Sequence, residues 1–215
     1  MKTESILESM DPIFPSDFFL CSARVSYAKD RVEAIKTASV LPDMTSLLDE
    51  ERFASLSLAW NEESLMGFLS VEKPFESSSF PDYEKGDALE IFIDTRDNKK
   101  ASFATRYSHQ FVFLPGSVDG VCAQEITRFR CEDSHALCDS ALIGLEMRLE
   151  KKGYSLFFTL PKEVLHGYDP VQFSRLGFSY KIHRYKEKPM HFPFSSKSFD
   201  PLQNPSLWAS LVLLK

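Results

Sequence analysis

From about residue 54 onward apolar and polar residues alternate with a period of two, the pattern of strands that bury one face. Leu56, Leu58 and Trp60 alternate with Ser57 and Ala59. Asn61 to Ser64 then turns the chain, and Leu65 to Val71 returns as a second strand, with Trp60 facing inward. In Ala88 to Asp94, Leu89, Ile91 and Ile93 share one face and Glu90 and Asp94 the other. Gln110, Val112 and Leu114 alternate with Phe111 and Phe113 until Pro115 and Gly116, which are expected to end the strand. A shorter, polar-faced strand is expected over 125–130. Ile143, Leu145, Met147 and Leu149 predict another apolar face. Lys151, Lys152 and Gly153 then supply a turn, with Gly153 available for positive φ, into Tyr154, Leu156, Phe158 and Leu160. Strands are also expected over 173–185 and 207–214, separated by a long irregular connection over 189–205.

Toward the amino terminus, 18–27 suits a strand. Met44, Leu47, Leu48 and Phe53 at helical spacing predict one short helix capped by Asp43. About nine strands with connections too short for helical crossovers predict an all-β chain. The economical packing is an antiparallel two-sheet β-sandwich forming one domain over 1–215, with residues 1–15 as a flexible amino-terminal arm.

Composition narrows the function more than the fold. The net charge of −6 comes without a basic block, so nucleic acid is not an expected partner. No segment is apolar enough for a membrane span, and no export signal opens the chain, which predicts a cytoplasmic protein with signal-independent secretion left open. No nucleophile elbow, P-loop, dinucleotide fingerprint or metalloprotease helix occurs, so a binding module is expected rather than an enzyme. Cys122, Cys131, His135 and Cys138 together offer a zinc-like ligand set, but their spacing matches no common finger; the alternative is ordinary core and loop cysteines in a reducing compartment.

Three ordered segments then come together: Ser57 to Trp60 followed by Leu65 to Val71; Asp87, Glu90 and Asp94 in a D-x-x-E-x-x-x-D strand; and Gly153-Tyr154 running to Leu160-Pro161. With the closing Asn204-Pro205-Ser206-Leu207-Trp208, they resemble the family 9 carbohydrate-binding modules, within the broader group of DOMON-like sandwich domains, over about residues 50–215. Asn204 stands where the family pattern has Asp, and Ala209 where it has Gly. The resemblance implies carbohydrate binding in a groove, commonly with two clamping tryptophans. Neither Trp60 nor Trp208 falls in the expected loops. Phe80 or Tyr83 is nearest the first clamp position, and Phe192 and Phe194 are nearest the second.

Alternation over 106–110 places Arg106, Ser108 and Gln110 on one face, able to hydrogen-bond hydroxyls or a carboxylate, with Tyr107 and His109 on the other. His109 is expected to pack rather than to ligate. The expected ligand-binding set is therefore Tyr83, Arg106, Gln110, Phe192, Phe194 and Asn204. Asp94, Asp97 and Asn98 could hold a structural calcium ion, as some relatives do, although a turn rich in Asp and Asn has its own reasons for those residues. Two alternatives stay open: a haem-binding redox domain with Met66 and His183 as axial ligands, and a protein-interaction sandwich using an exposed sheet or the 189–205 connection. Glu90 and Asp94, on one strand face, look like framework rather than a glycosidase pair.

Overall fold

The computed structural model describes residues 21–215, so the expected arm over 1–15 and the first residues of the strand expected from 18 lie outside the described residues. In chain order the elements are β1 (Ser22–Tyr27), α1 (Arg31–Thr37), β2 (Ser39–Val40), α2 (Thr45–Leu48), β3 (Ala54–Trp60) and β4 (Ser64–Val71). There follow β5 (Ala88–Asp94), β6 (Ser108–Val118), β7 (Val121–Glu125), β8 (Gly144–Leu149) and β9 (Tyr154–Pro161). The last are β10 (Arg175–His183), β11 (Met190–Phe192) and β12 (Ala209–Leu214).

The strands form one continuous path, β7-β6-β5-β10-β12-β1-β3-β4-β9-β8, with β11 beside β10 and β2 beside β3. Phe113 of β6 and Phe158 of β9 lie far apart along this path, yet their rings stack at 4.7 Å. The ribbon therefore curls over itself and closes almost like a barrel. Its two flanks enclose one apolar layer containing Leu56, Leu58, Leu89, Ile91, Ile93, Phe111 and Phe178. Most pairings are antiparallel, but β1 runs parallel to both β12 and β3, so the sheet is mixed where a wholly antiparallel pair of sheets is expected. Trp60 faces the core as alternation requires, and its Nε1 donates to the carbonyls of Val25 and Leu214, tying β1, β3 and β12 together.

Several local expectations need correction. β6 continues through Pro115 and Gly116 to Val118, and the hairpin turns instead at Asp119-Gly120, both at positive φ, as a two-residue hairpin turn demands. The following strand is consequently 121–125 rather than 125–130. Gly153 has no positive φ; its missing side chain matters because a Cβ there would lie 2.3 Å from the Val71 carbonyl oxygen. The apolar face expected over 143–149 is core only at its start: Ile143 is buried and Leu145 packs against the core, but β8 is an end of the path, leaving Met147 and Leu149 about half exposed. The short helix α2 is a single turn that ends before Phe53, with Met44 and not Asp43 at its N-cap position, although Asp43 accepts from the Thr45 amide; α1 is an element the alternation does not predict.

Candidate functional site

On β5 the even alternation carries chemistry, because Glu90, Phe92 and Asp94 face away from the core yet are themselves buried. Glu90 is 3% exposed. Its Oε1 accepts from the Tyr83 hydroxyl at 3.0 Å and from Gln110 Nε2 at 2.6 Å, and its Oε2 lies 2.8 Å from His183 Nε2. Burial opposes the Glu90 charge, but the His183 bond and charge outweigh it and hold the carboxyl below its ordinary range. Burial and the nearby Glu90 charge push the Tyr83 phenol well upward, so it stays a neutral donor.

Around this network lies an open cavity of about 600 Å³. Glu90, Phe92, Gln110 and Lys181 come from adjacent strands, Pro81 to Lys85 form one rim, and Ser196 with Asp200 to Leu202 contribute another. The first rim is a single 3-10 turn, Tyr83–Lys85, at the end of a long loop whose anchor is Asp87. Asp87 is fully buried; it accepts from the Glu76 and Tyr185 amides and from Arg184 Nη1. The second rim is pinned by Trp208, which packs against Phe92, Phe194 and Leu202 and donates through Nε1 to the Pro201 carbonyl at 2.9 Å.

Polar and charged groups on the wall are unevenly committed. Lys181 pairs with Glu84 at 3.1 Å, and Lys85 pairs with Asp82. Arg128 is exposed at the rim, and the Gln110 amide gives one hydrogen to Glu90 while its carbonyl oxygen stays free of the Glu90 network. Such a wall can accept and donate hydrogen bonds at fixed points beside the apolar surfaces of Pro81 and Leu202.

Of the residues singled out from the sequence, Tyr83 and Gln110 meet in this cavity. Arg106 does not. It precedes β6 in a turn and pairs with Asp133 away from the cavity wall, because the strand starts only at Ser108. Phe192 is wholly inside the core, stacked on Tyr180 at 5.4 Å, and Phe194 is buried beside Trp208. Asn204 donates to the Asp200 carbonyl and caps the turn that follows, outside the wall. Asp94, Asp97 and Asn98 do lie together. Asp94 accepts from the Arg96 and Asn98 amides, Asp97 from the Ser210 hydroxyl, with Lys99 alongside, and Asn98 from the Lys100 amide. These bonds alone account for the turn.

Met66 and His183 are not brought together: Met66 packs with Ala28, Ala59 and Phe157, whereas His183 is held by Glu90. Cys122 and Cys131 are exposed, and Cys138 lies beside Glu125 with His135. The wall residues that sequence reasoning missed are Glu90 as the hub, Lys181, Arg128 and Leu202. For Glu90 a signal existed, since a lone carboxylate between Leu89 and Ile91 in an apolar strand needs a buried partner.

No family model matches the chain, and no curated protein matches its sequence. Solved structures do match its fold. A family 9 carbohydrate-binding module from Caldicellulosiruptor kristjanssonii in complex with glucose superposes with a TM-score of 0.66 at 16% identity, covering 90% of this chain and 95% of that one. A family 9 module from the same organism in complex with cellotriose gives 0.60 at 15% identity, over 88% and 92% of the two chains. A protein from Bacteroides uniformis provisionally assigned as carbohydrate-binding gives 0.58 at 10% identity, over 90% and 99%. Across nearly its whole described length, the chain has the fold of the family 9 carbohydrate-binding modules.

Proposed function

We propose that the cavity over Glu90 binds a carbohydrate and that the chain acts as a non-catalytic binding module. The observation that carries this reading is the Glu90 network itself: one buried carboxylate fixes Tyr83, Gln110 and His183 in place, so the floor of an open cavity is built and rigid before any ligand arrives. A sugar offers apolar C–H faces and directional hydroxyls. Tyr83, Pro81 and Leu202 supply surfaces for the first, and Gln110, Lys181 and Arg128 supply partners for the second. The fold supports the same reading, since structures sharing it hold glucose and cellotriose.

Hydrolysis of a glycoside needs one carboxylic acid free to donate and another free to attack or activate water. Glu90 is committed to three donors and Glu84 to Lys181, which favours retention of the sugar over its cleavage. Calorimetric titration with glucose and with cellotriose tests the proposal. A saturable single-site isotherm, weakened about tenfold or more by Tyr83→Ala or Gln110→Ala, is the expected result (a tenfold change corresponds to ~1.4 kcal/mol). Heats no larger than dilution for these and other soluble glycans would overturn it.

A further inference from the structure

Opposite the cavity, on the inner face of β6, a second polar cluster has a buried base and a half-buried cover. His109 of β6 is wholly buried, and Glu125 at the end of β7 is 1% exposed. The loop after β7 folds His135 and Cys138 back over them. Glu125 Oε1 lies 2.8 Å from His109 Nδ1 and 2.8 Å from His135 Nε2, and it accepts the Thr127 hydroxyl at 2.8 Å. Oε2 accepts the Cys138 amide at 2.8 Å. The rings of His109 and His135 are 4.3 Å apart, and His166 stacks on His135 at 5.5 Å.

The outer nitrogens of both rings face backbone carbonyls. His135 Nδ1 lies 2.7 Å from the Arg106 carbonyl oxygen and can only donate there, and His109 Nε2 faces the His166 carbonyl at 3.5 Å. All four ring nitrogens therefore face oxygen acceptors, while two neutral imidazoles carry only two N–H groups. One ligand atom each from His109, Glu125 and His135 thus lies within 4.8 Å of the other two. Histidines that ligate metals are oriented in this way, with the distal N–H given to a backbone carbonyl and the proximal lone pair turned toward the ion.

We propose that His109, Glu125 and His135, whose ligand atoms lie within 4.8 Å of one another, form a binding site for a divalent transition metal of the zinc type. Two imidazoles and a carboxylate are a three-residue set that suits tetrahedral zinc with a fourth position left to a small ligand. Metal bonds of about 2.0–2.2 Å at a tetrahedral angle place donor atoms about 3.3 Å apart, so each 2.8 Å pair opens by roughly half an ångström on loading. The ion would clamp the loop over 126–139 onto β6 and β7. It faces the core and not the cavity, so this site stands or falls independently of sugar binding.

The test uses the full chain, stripped with a chelator and titrated with zinc by calorimetry and with cobalt by absorption spectroscopy. One equivalent is expected, with a rise in melting temperature and tetrahedral cobalt bands. His135→Ala, a loop substitution outside the strands, should abolish stoichiometric uptake. His183→Gln, which disables the other His-carboxylate grouping (Glu84, Glu90 and His183), should retain it. Failure of the wild-type chain to take up one equivalent would overturn the proposal, as would uptake that survives His135→Ala and is lost in His183→Gln.

Discussion

Gln110 donates through Nε2 to Glu90 Oε1 at 2.6 Å, joining β6 to β5 on the outer face of the sheet. One residue earlier on the same strand, His109 meets Glu125 on the inner face. Period-two geometry thus gives β6 two separate polar centres, one open and one with a buried base.

Glu90 is the shared acceptor of the open centre, so Glu90→Gln should unsettle all three of its donors at once. The amide cannot accept from three groups as an anion does, and at least one buried donor loses its partner, at a cost of about 1–3 kcal/mol. A lower urea midpoint with unchanged slope checks this; an unaltered midpoint would count against Glu90 as the hub.

The pH dependence has a definite sign. Glu90 has a folded pKa below its ordinary value of 4.5, so its contribution is complete above that value and is lost as pH falls through the lower folded one. The stability gap between wild type and Glu90→Gln should be flat from pH 7 down to about 5 and shrink below 4.5. A gap that instead grows on acidification contradicts the assignment.

Arg184 and Asp87 form a buried ion pair at 3.0 Å, and Arg184 also donates to the Pro74 carbonyl, so together they hold the base of the loop that carries Tyr83. Arg184→Met leaves Asp87 charged and short of a partner. The expected loss is about 3–5 kcal/mol, with faster amide exchange over 76–87. Exchange that rises elsewhere but not in this loop would dissociate Arg184 from the cavity rim.

Gly67 on β4 lies under the Phe158 ring, where a Cβ would come within 2.1 Å of ring carbon. Gly67→Ala must displace a ring that also stacks on Phe113 across the core, so a loss of about 1–3 kcal/mol is expected by thermal or urea unfolding.

Strands were legible wherever one face alone carries the core: Leu89, Ile91 and Ile93 announce β5 without ambiguity. Alternation misleads where an apolar face has no neighbour, as for Met147 and Leu149 at the end of the path, and it says nothing of direction, so parallel β1 was hidden. Local signals went unused at Asp119-Gly120 and at α1, where Asp30 accepts from the Glu33 amide and Glu33 reaches back to the Lys29 amide. Of the site, Tyr83 and Gln110 could be reached from side-chain chemistry and loop position. Arg106 looked equivalent to Gln110 because the start of β6 was placed too early. The partners of Glu90 lie 7, 20 and 93 residues away, and such contacts have no periodic trace in a sequence.

The location of the ligand is the point on which the functional account rests, and backbone amide shifts recorded during titration with a soluble sugar test it most directly. Perturbations gathered at 81–85, 110, 181 and 196–202 are the predicted result. Shifts gathered on the outer surface of β8 and β9, or no shifts with any sugar in a broad soluble panel, would contradict it.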